Sequence, residues 1–145
     1  MRHVTQEGLD LIKRFEGFSP EVYICPAGYP TIGYGHLIRA GESFTVITET
    51  QAEILLKRDV NAAERSVLRL INIPLTDGQF DALVSFTYNL GAGALQRSTL
   101  RRKVNRGEHA AVPAQFMRWV WAGGRKLNGL VTRRLMEGKT YIALF

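Results

Sequence analysis

The chain holds one cysteine, Cys25, among its 145 residues. A lone cysteine excludes an intramolecular disulfide and excludes zinc held by several thiolates. Histidine is almost as sparse. His3, His36 and His109 are scattered and show no metal-ligand spacing, so neither a metal nor a cofactor is expected. No uninterrupted apolar run approaches the roughly 20 residues that span a bilayer. Met1 to Gly17 mixes charged and apolar side chains and lacks the apolar core of a signal peptide. The expectation is a chain made in a cytoplasm without an export signal of its own. Internal repeats and low-complexity tracts are absent too. A composition of 46% hydrophobic and 22% charged residues is that of an ordinary globular protein.

Acidic residues are scarce in one region. Residues 97–145 carry 11 Lys/Arg against 2 Asp/Glu, whereas residues 1–96 carry 8 against 11. The overall charge is +6, and its excess lies in the last third. Such a segment attracts a polyanion without naming it. Nucleic acid, anionic lipid and bacterial envelope polymers all qualify.

What is present reads as helix, then strands, then helices. Thr5 is placed to cap a first helix, with Glu7 in its first turn and Val4 and Leu9 at staple positions. Leu9, Ile12 and Phe15 recur at helical spacing, and the helix should end at Glu16-Gly17. Residues 21–37 are rich in strand formers, with Pro26, Gly28 and Pro30 supplying turns. They predict a small hairpin or three-stranded sheet, which needs helices to pack on. Thr48-x-x-Gln51 is a capping box ahead of a periodic segment that reads as one long helix to about Ile71. Thr76-x-x-Gln79 repeats the pattern before a stretch apolar nearly all round, as in a buried helix. Ser98 caps a further helix. Pro113 restricts the next, drawn from Glu108 to Gly124, to a helix start or kink. Residues 130–145 predict a final helix. Phe116, Trp119 and Trp121 read as core, with stacking on carbohydrate as the alternative.

The outline is α+β in one domain spanning residues 1–145. It has a sheet-bearing N-terminal lobe over about residues 1–50, a connecting helix over about 49–71, and a helical lobe over about 72–145. A cleft between lobes is a usual place for a ligand.

The segment "KRFEGFSPEVYICPAGYPTIGYGH", residues 13–36, concentrates the candidate chemistry. Glu16 sits between Phe15 and Gly17-Phe18. Aromatic neighbours and partial burial raise a carboxyl pKa, and a protonated acid near neutrality can protonate a leaving oxygen. Taken singly, each residue has an ordinary explanation. Glu16 is then a helix-end carboxylate, Cys25 a small buried hydrophobe, Thr31 a strand residue and His36 a structural hydrogen-bonding group.

Together they carry a resemblance. Glu16, Cys25 nine residues on and Thr31 six further, inside "TIGYGH", closely resemble the active-site segment of the phage-type lysozymes, or endolysins, of glycoside hydrolase family 24. The likeness extends through "QAEILLKRDVNAAERSVLRL", "LTDGQFDALVSFTYNLGAG" and "FMRWVWAGGRKLNGLVTRRLMEG". It implies a lysozyme-like fold and hydrolysis of the β-1,4 bond between N-acetylmuramic acid and N-acetylglucosamine in peptidoglycan. It implies Glu16 as general acid, Thr31 holding the attacking water and Cys25 assisting from the other face of the sugar, with inversion at the anomeric carbon. Inversion needs room for a water, roughly 6.5 to 9.5 Å between a carboxylate pair. It further implies Leu37, Tyr88, Asn89 and Thr99 as substrate contacts. His36 is implied to orient backbone or pair with an acid. A monomer is implied, held in the host cytoplasm until it reaches the wall and releases phage progeny.

Cysteine at position 25, where the family more often has Asp, leaves its role open. An ordinary thiol is mostly neutral at pH 7 and a poor base. It either positions water, which is favoured here, or forms a covalent glycosyl intermediate. Two rival readings stand beside the glycosidase. One is a nucleic-acid-binding domain, supported by the basic segment but by no fold signature. The other is a cysteine hydrolase pairing Cys25 with His36.

Overall fold

The computed structural model describes residues 1–143. Leu144 and Phe145, part of the expected final helix, lie outside the described residues. Two units organise the chain. One is Ile12–Asn61; the other joins Met1–Leu11 to the residues from Ala62 onward.

The first unit contains the sheet. Helix α1 (Gln6–Glu16) ends in it. Three antiparallel strands follow in the order β1 (Ser19–Ile24), β2 (Pro30–Gly33) and β3 (His36–Leu37). β1 pairs with β2 through Tyr23 and Thr31, with an irregular register between Ser19 and Tyr23. β2 pairs with β3 through Thr31 and Leu37. Three short strands cannot stand alone. Helix α2 (Glu49–Asp59) supplies the apolar support through Ala52, Leu55 and Leu56, and Ile32 and Ile47 are buried in the same unit. The capping box of α2 forms as read: Thr48 Oγ1 accepts from the Gln51 N–H at 3.1 Å, and Gln51 Oε1 accepts from the Thr48 N–H at 2.9 Å.

Two boundaries differ from the sequence expectation. The single helix over 49–71 is two helices, α2 and α3 (Asn61–Leu70). They meet at Val60, the C-cap of α2, whose backbone stays in the right-handed region (φ −74°, ψ −12°). The apolar periodicity continues across this turn, so pattern alone does not reveal it. The N-terminal lobe also does not begin at residue 1. Arg2 donates to the Leu75 carbonyl, the Val4 N–H to Glu64 at 2.7 Å and the Thr5 N–H to Asp81 at 3.0 Å. These bonds tie the first residues to the helical unit. Thr5 still caps α1, accepting from the Gly8 N–H.

The helical unit is built around α4 (Asp77–Leu90), whose residues Phe80 to Thr87 are all buried. Its capping box, Thr76 with Gln79, is complete. Three short helices follow: α5 (Ala92–Arg97), α6 (Thr99–Asn105), capped by Ser98, and α7 (Val112–Phe116), with Pro113 in its first turn. The last helix, α8 (Asn128–Ile142), packs on α4 and α7. Contact with α4 is close enough that a Cβ on Gly78 would lie 2.4 Å from the Thr140 carbonyl oxygen.

The helix expected through Gly124 stops at Phe116. A hairpin replaces its second half, with β4 (Trp121–Ala122) paired to β5 (Arg125–Lys126). Gly123 and Gly124 turn it with φ of +57° and +76°. A two-residue Gly-Gly connection is a hairpin signal, since both positions need positive φ. Phe116 is core as expected, but Trp121 is 62% exposed.

Candidate active site

Glu16 is the last residue of α1 and is half-buried. It lines a shallow depression of about 270 Å³ together with Gly17, Phe18, Ser19 and Tyr23. Phe18 stacks on Tyr34 at 5.4 Å between ring centroids, which fixes one aromatic wall. Opposite the carboxyl runs the backbone of Gly35. A Cβ there would sit 3.3 Å from Glu16 Oε2, and Gly35 has φ +81°. Both facts call for glycine in "GYGH".

Cys25 follows β1 and opens a turn. Its carbonyl accepts from the Gly28 N–H at 2.8 Å and its N–H donates to the Tyr29 carbonyl at 3.0 Å. Pro26 at the second position suits this turn. The turn aims backbone N–H groups at the sulfur. The Tyr29 backbone lowers the thiol pKa most, and the Thr31 hydroxyl and the backbones of Ala27 and Gly28 lower it further, against a smaller opposing effect of desolvation. Successive N–H groups around one anion form a nest. These groups hold the Cys25 thiol below its ordinary value.

Thr31 lies in β2 and is buried. Its hydroxyl donates to the Tyr29 carbonyl at 2.9 Å. The same hydroxyl reaches the Cys25 sulfur, so its one proton can serve either acceptor. Cys25 and Thr31 thus lie near one another in the sheet unit, and Leu37 lies opposite Thr31 in the strand register. Leu37 is 52% exposed.

Tyr23, by its residue type a strand former, joins this group. Burial raises its phenol pKa, and the charges of Cys25 and Glu16 raise it further. The phenol stays a neutral hydrogen-bonding group next to two acids. Its separation of two residues from Cys25 along an extended segment was the available signal, because such residues share a face.

His36 behaves as the resemblance implies. It is buried, with Nδ1 2.8 Å from Asp59 Oδ2 and Nε2 2.9 Å from Glu42 Oε1. Glu42 also accepts from the Arg39 N–H at 2.7 Å. The Arg39 backbone, and then His36, hold the Glu42 carboxyl below its usual range. With both ring nitrogens engaged by carboxylates, His36 is a structural clasp. Nothing pairs it with Cys25, as a thiolate–imidazole hydrolase requires.

The other three candidates belong to the helical unit. Tyr88 and Asn89 fall in the last turn of α4 and are half-buried. Asn89 Oδ1 accepts from Arg134 Nη2 at 2.6 Å. This bond fixes the amide oxygen on Arg134. Arg134 is fully buried and lies 2.7 Å from Glu137. Burial pushes its pKa down to about 10. Its part in holding Asn89, 45 positions away, has no signal in the sequence. Thr99 opens α6, and its hydroxyl accepts from Arg102 at 2.9 Å. It lines a depression of about 190 Å³ with Gln115, Arg118 and Trp119. Among the described residues, no group of three or more His, Cys, Asp or Glu side chains could hold a metal ion. Likewise no described helix is long and apolar enough to cross a membrane.

Comparison with known proteins agrees with this fold. The phage lysozyme family model matches residues 13–137. The endolysin of Bacillus phage B103 is 41% identical over 97% of this chain, and the match covers 54% of that protein. The chain therefore spans about half the length of that relative. The endolysin of Acyrthosiphon pisum secondary endosymbiont phage 1 is 40% identical over 93% of this chain and 94% of its own length. The solved structure of an endolysin from Escherichia coli O157:H7 phage FAHEc1 superposes with a TM-score of 0.88. It is 39% identical and covers 97% of this chain and 94% of that one. With its fold, its sequence and the family model in agreement, the chain belongs to the phage lysozyme family.

Proposed function

We propose that the chain is an endolysin that hydrolyses the β-1,4 bond between N-acetylmuramic acid and N-acetylglucosamine in peptidoglycan. The observation that carries this reading is the gathering of Glu16, Tyr23, Cys25 and Thr31 in one unit. There an acid lines an open depression and a thiol–hydroxyl pair stands close by. In this reading Glu16 protonates the glycosidic oxygen. Thr31 and Cys25 hold the attacking water, and inversion results. Leu37, Tyr88, Asn89 and Thr99 contact the sugar chain. Asn89, its oxygen held by Arg134, offers an N–H donor, which suits the carbonyl of an N-acetyl group.

Exposed cations of the last third steer the protein toward anionic envelope polymers, so lysis of walls should slow as salt rises. The proposal includes a monomer that stays in the host cytoplasm until it reaches the wall and releases phage progeny.

The test is turbidity loss of purified peptidoglycan. Glu16→Gln should lower the rate by about 10²- to 10⁴-fold, the usual worth of a general acid, with the thermal midpoint unchanged. Equal rates would remove Glu16 from the chemistry. A second route has an observation in its favour, the lowered thiol pKa of Cys25. A thiolate could attack the anomeric carbon as Glu16 protonates the leaving oxygen, and water would then release the sugar. The product anomer separates the two: inversion for water attack, retention for the thioglycoside.

A further inference from the structure

The β4–β5 hairpin has no part in the chemistry above, and its composition is unlike a solvated turn. Trp121 pairs with Lys126 and Ala122 with Arg125. A Cβ at Gly123 or Gly124 would meet nothing within 4 Å, so the tip stands clear of the rest of the unit. Trp121 is 62% exposed and Leu127, which follows β5, is 41% exposed. Arg118, Arg125 and Lys126 are exposed around them.

Among the described residues, no acid is paired with Arg118, Arg125 or Lys126. Residues 109–136 contain no Asp or Glu. Of the two carboxylates beyond residue 96, Glu108 pairs with Lys103 at 3.3 Å and Glu137 is buried against Arg133 and Arg134. A basic face that merely keeps the protein soluble does not require an exposed indole and leucine. A soluble acidic polymer would be held by charge alone. An aromatic ring with a polar N–H and two cations on one projecting hairpin, with Arg118 exposed just before it, match the boundary between headgroups and acyl chains.

We propose that the β4–β5 hairpin docks on an anionic lipid bilayer. Trp121 enters the interfacial layer, and Arg118, Arg125 and Lys126 meet the lipid phosphates.

Sedimentation of the whole chain with lipid vesicles tests this. One set is phosphatidylcholine alone; the other is phosphatidylcholine mixed with phosphatidylglycerol. The protein should bind the mixed vesicles and leave the neutral ones, and brominated acyl chains should quench its tryptophan emission. Trp121→Ala should weaken binding about tenfold, since it removes most of the inserted apolar surface. Arg125→Gln with Lys126→Gln should weaken it about 25-fold, roughly fivefold per cation near the surface. Both variants should keep the wild-type circular dichroism and melting midpoint. Absence of binding to the anionic vesicles overturns the proposal. So does binding that Trp121→Ala leaves intact, because the segment is then only a polycation. Capture by soluble polyglutamate as tight as by vesicles, and equally indifferent to Trp121, overturns it in favour of an acidic polymer.

Discussion

Eight successive residues of α4, Phe80 to Thr87, are buried in the helical unit, whereas five of the six residues of β1 are exposed in the sheet unit. The contrast extends to charge. The helical unit encloses Arg133, Arg134 and Glu137, each at most 4% exposed. The sheet unit leaves Glu16 and Cys25 half-accessible at its surface and buries chiefly the aliphatic contacts of β2 and α2. Stability should therefore be most sensitive in one unit and chemistry in the other. Each substitution below attacks that division.

The largest effect on stability should come from Glu137→Ala. Glu137 receives the Ser85 hydroxyl at 2.6 Å and lies 2.7 Å from Arg134. Burial raises its pKa, against the opposing charge of Arg134. Removing it takes the carboxylate from two buried guanidinium charges, and breaking such a buried pair costs about 3 to 5 kcal/mol. At roughly 2 to 4 °C per kcal/mol for a domain of this size, calorimetry should show a midpoint lower by ~10 °C. An unchanged midpoint would mean that the buried charge does not hold the helical unit together.

A glycine pair sharpens the same division. Gly78→Ala should lower the midpoint, because its Cβ would meet the Thr140 carbonyl oxygen at 2.4 Å and α4 and α8 must part. Strain of this kind typically costs about 1 to 3 kcal/mol. Gly35→Ala instead meets Glu16 Oε2 at 3.3 Å from a backbone at φ +81°. Its expected signature is loss of peptidoglycan turnover by tenfold or more, as a reacting carboxyl moves by a fraction of an ångström. Should Gly78→Ala prove the more damaging to turnover at a temperature where both variants are folded, the division fails.

The thiol adds a pH test confined to the sheet unit. The Tyr29 backbone lowers the Cys25 pKa, with help from the Thr31 hydroxyl. The thiolate therefore persists to lower pH than at an ordinary cysteine. Alkylation by iodoacetamide, followed by mass spectrometry, should reach half its maximal rate below the ordinary thiol pKa of about 8.5. Thr31→Val removes one donor and should move that midpoint upward. A midpoint at or above the ordinary value would remove the nest around the sulfur.

Much of this arrangement is legible in the residues, for identifiable reasons. Capping boxes at Thr48 and Thr76 are local, satisfied by partners three residues away, so the sequence displays them whole. The short spacing from Glu16 to Thr31 likewise keeps the candidate chemistry within one helix end and one hairpin. What stays hidden depends on distant partners. Arg2, Val4 and Thr5 join the helical unit through Leu75, Glu64 and Asp81, residues about 60 to 76 positions away. Arg134 reaches Asn89 across 45 positions. The lowered thiol pKa needs a turn geometry that "CPAGY" permits but does not dictate. The break at Val60 and the hairpin at Gly123-Gly124 were missed for opposite reasons. The first leaves the apolar pattern undisturbed, while the second carried a turn signal that helical spacing overrode.

The smallest effect is the most discriminating, because it starts from two equal local structures. Thr48 and Thr76 make the same cap, each hydroxyl accepting an N–H at 3.1 Å. Local energetics alone give Thr48→Ala and Thr76→Ala the same cost, about 1 kcal/mol. The helices behind them differ: α2 buries Ala52, Leu55 and Leu56, whereas α4 buries eight residues in sequence. A helix held by little packing opens locally, and one at the centre of a core opens with the whole unit. Thr76→Ala should therefore lower the calorimetric midpoint by about 2 to 4 °C. Thr48→Ala should barely move it, and should instead speed amide exchange in the first turn of α2. Equal shifts in midpoint, with no excess exchange in α2, would mean that the two units unfold as one and that their unequal packing has no thermodynamic consequence.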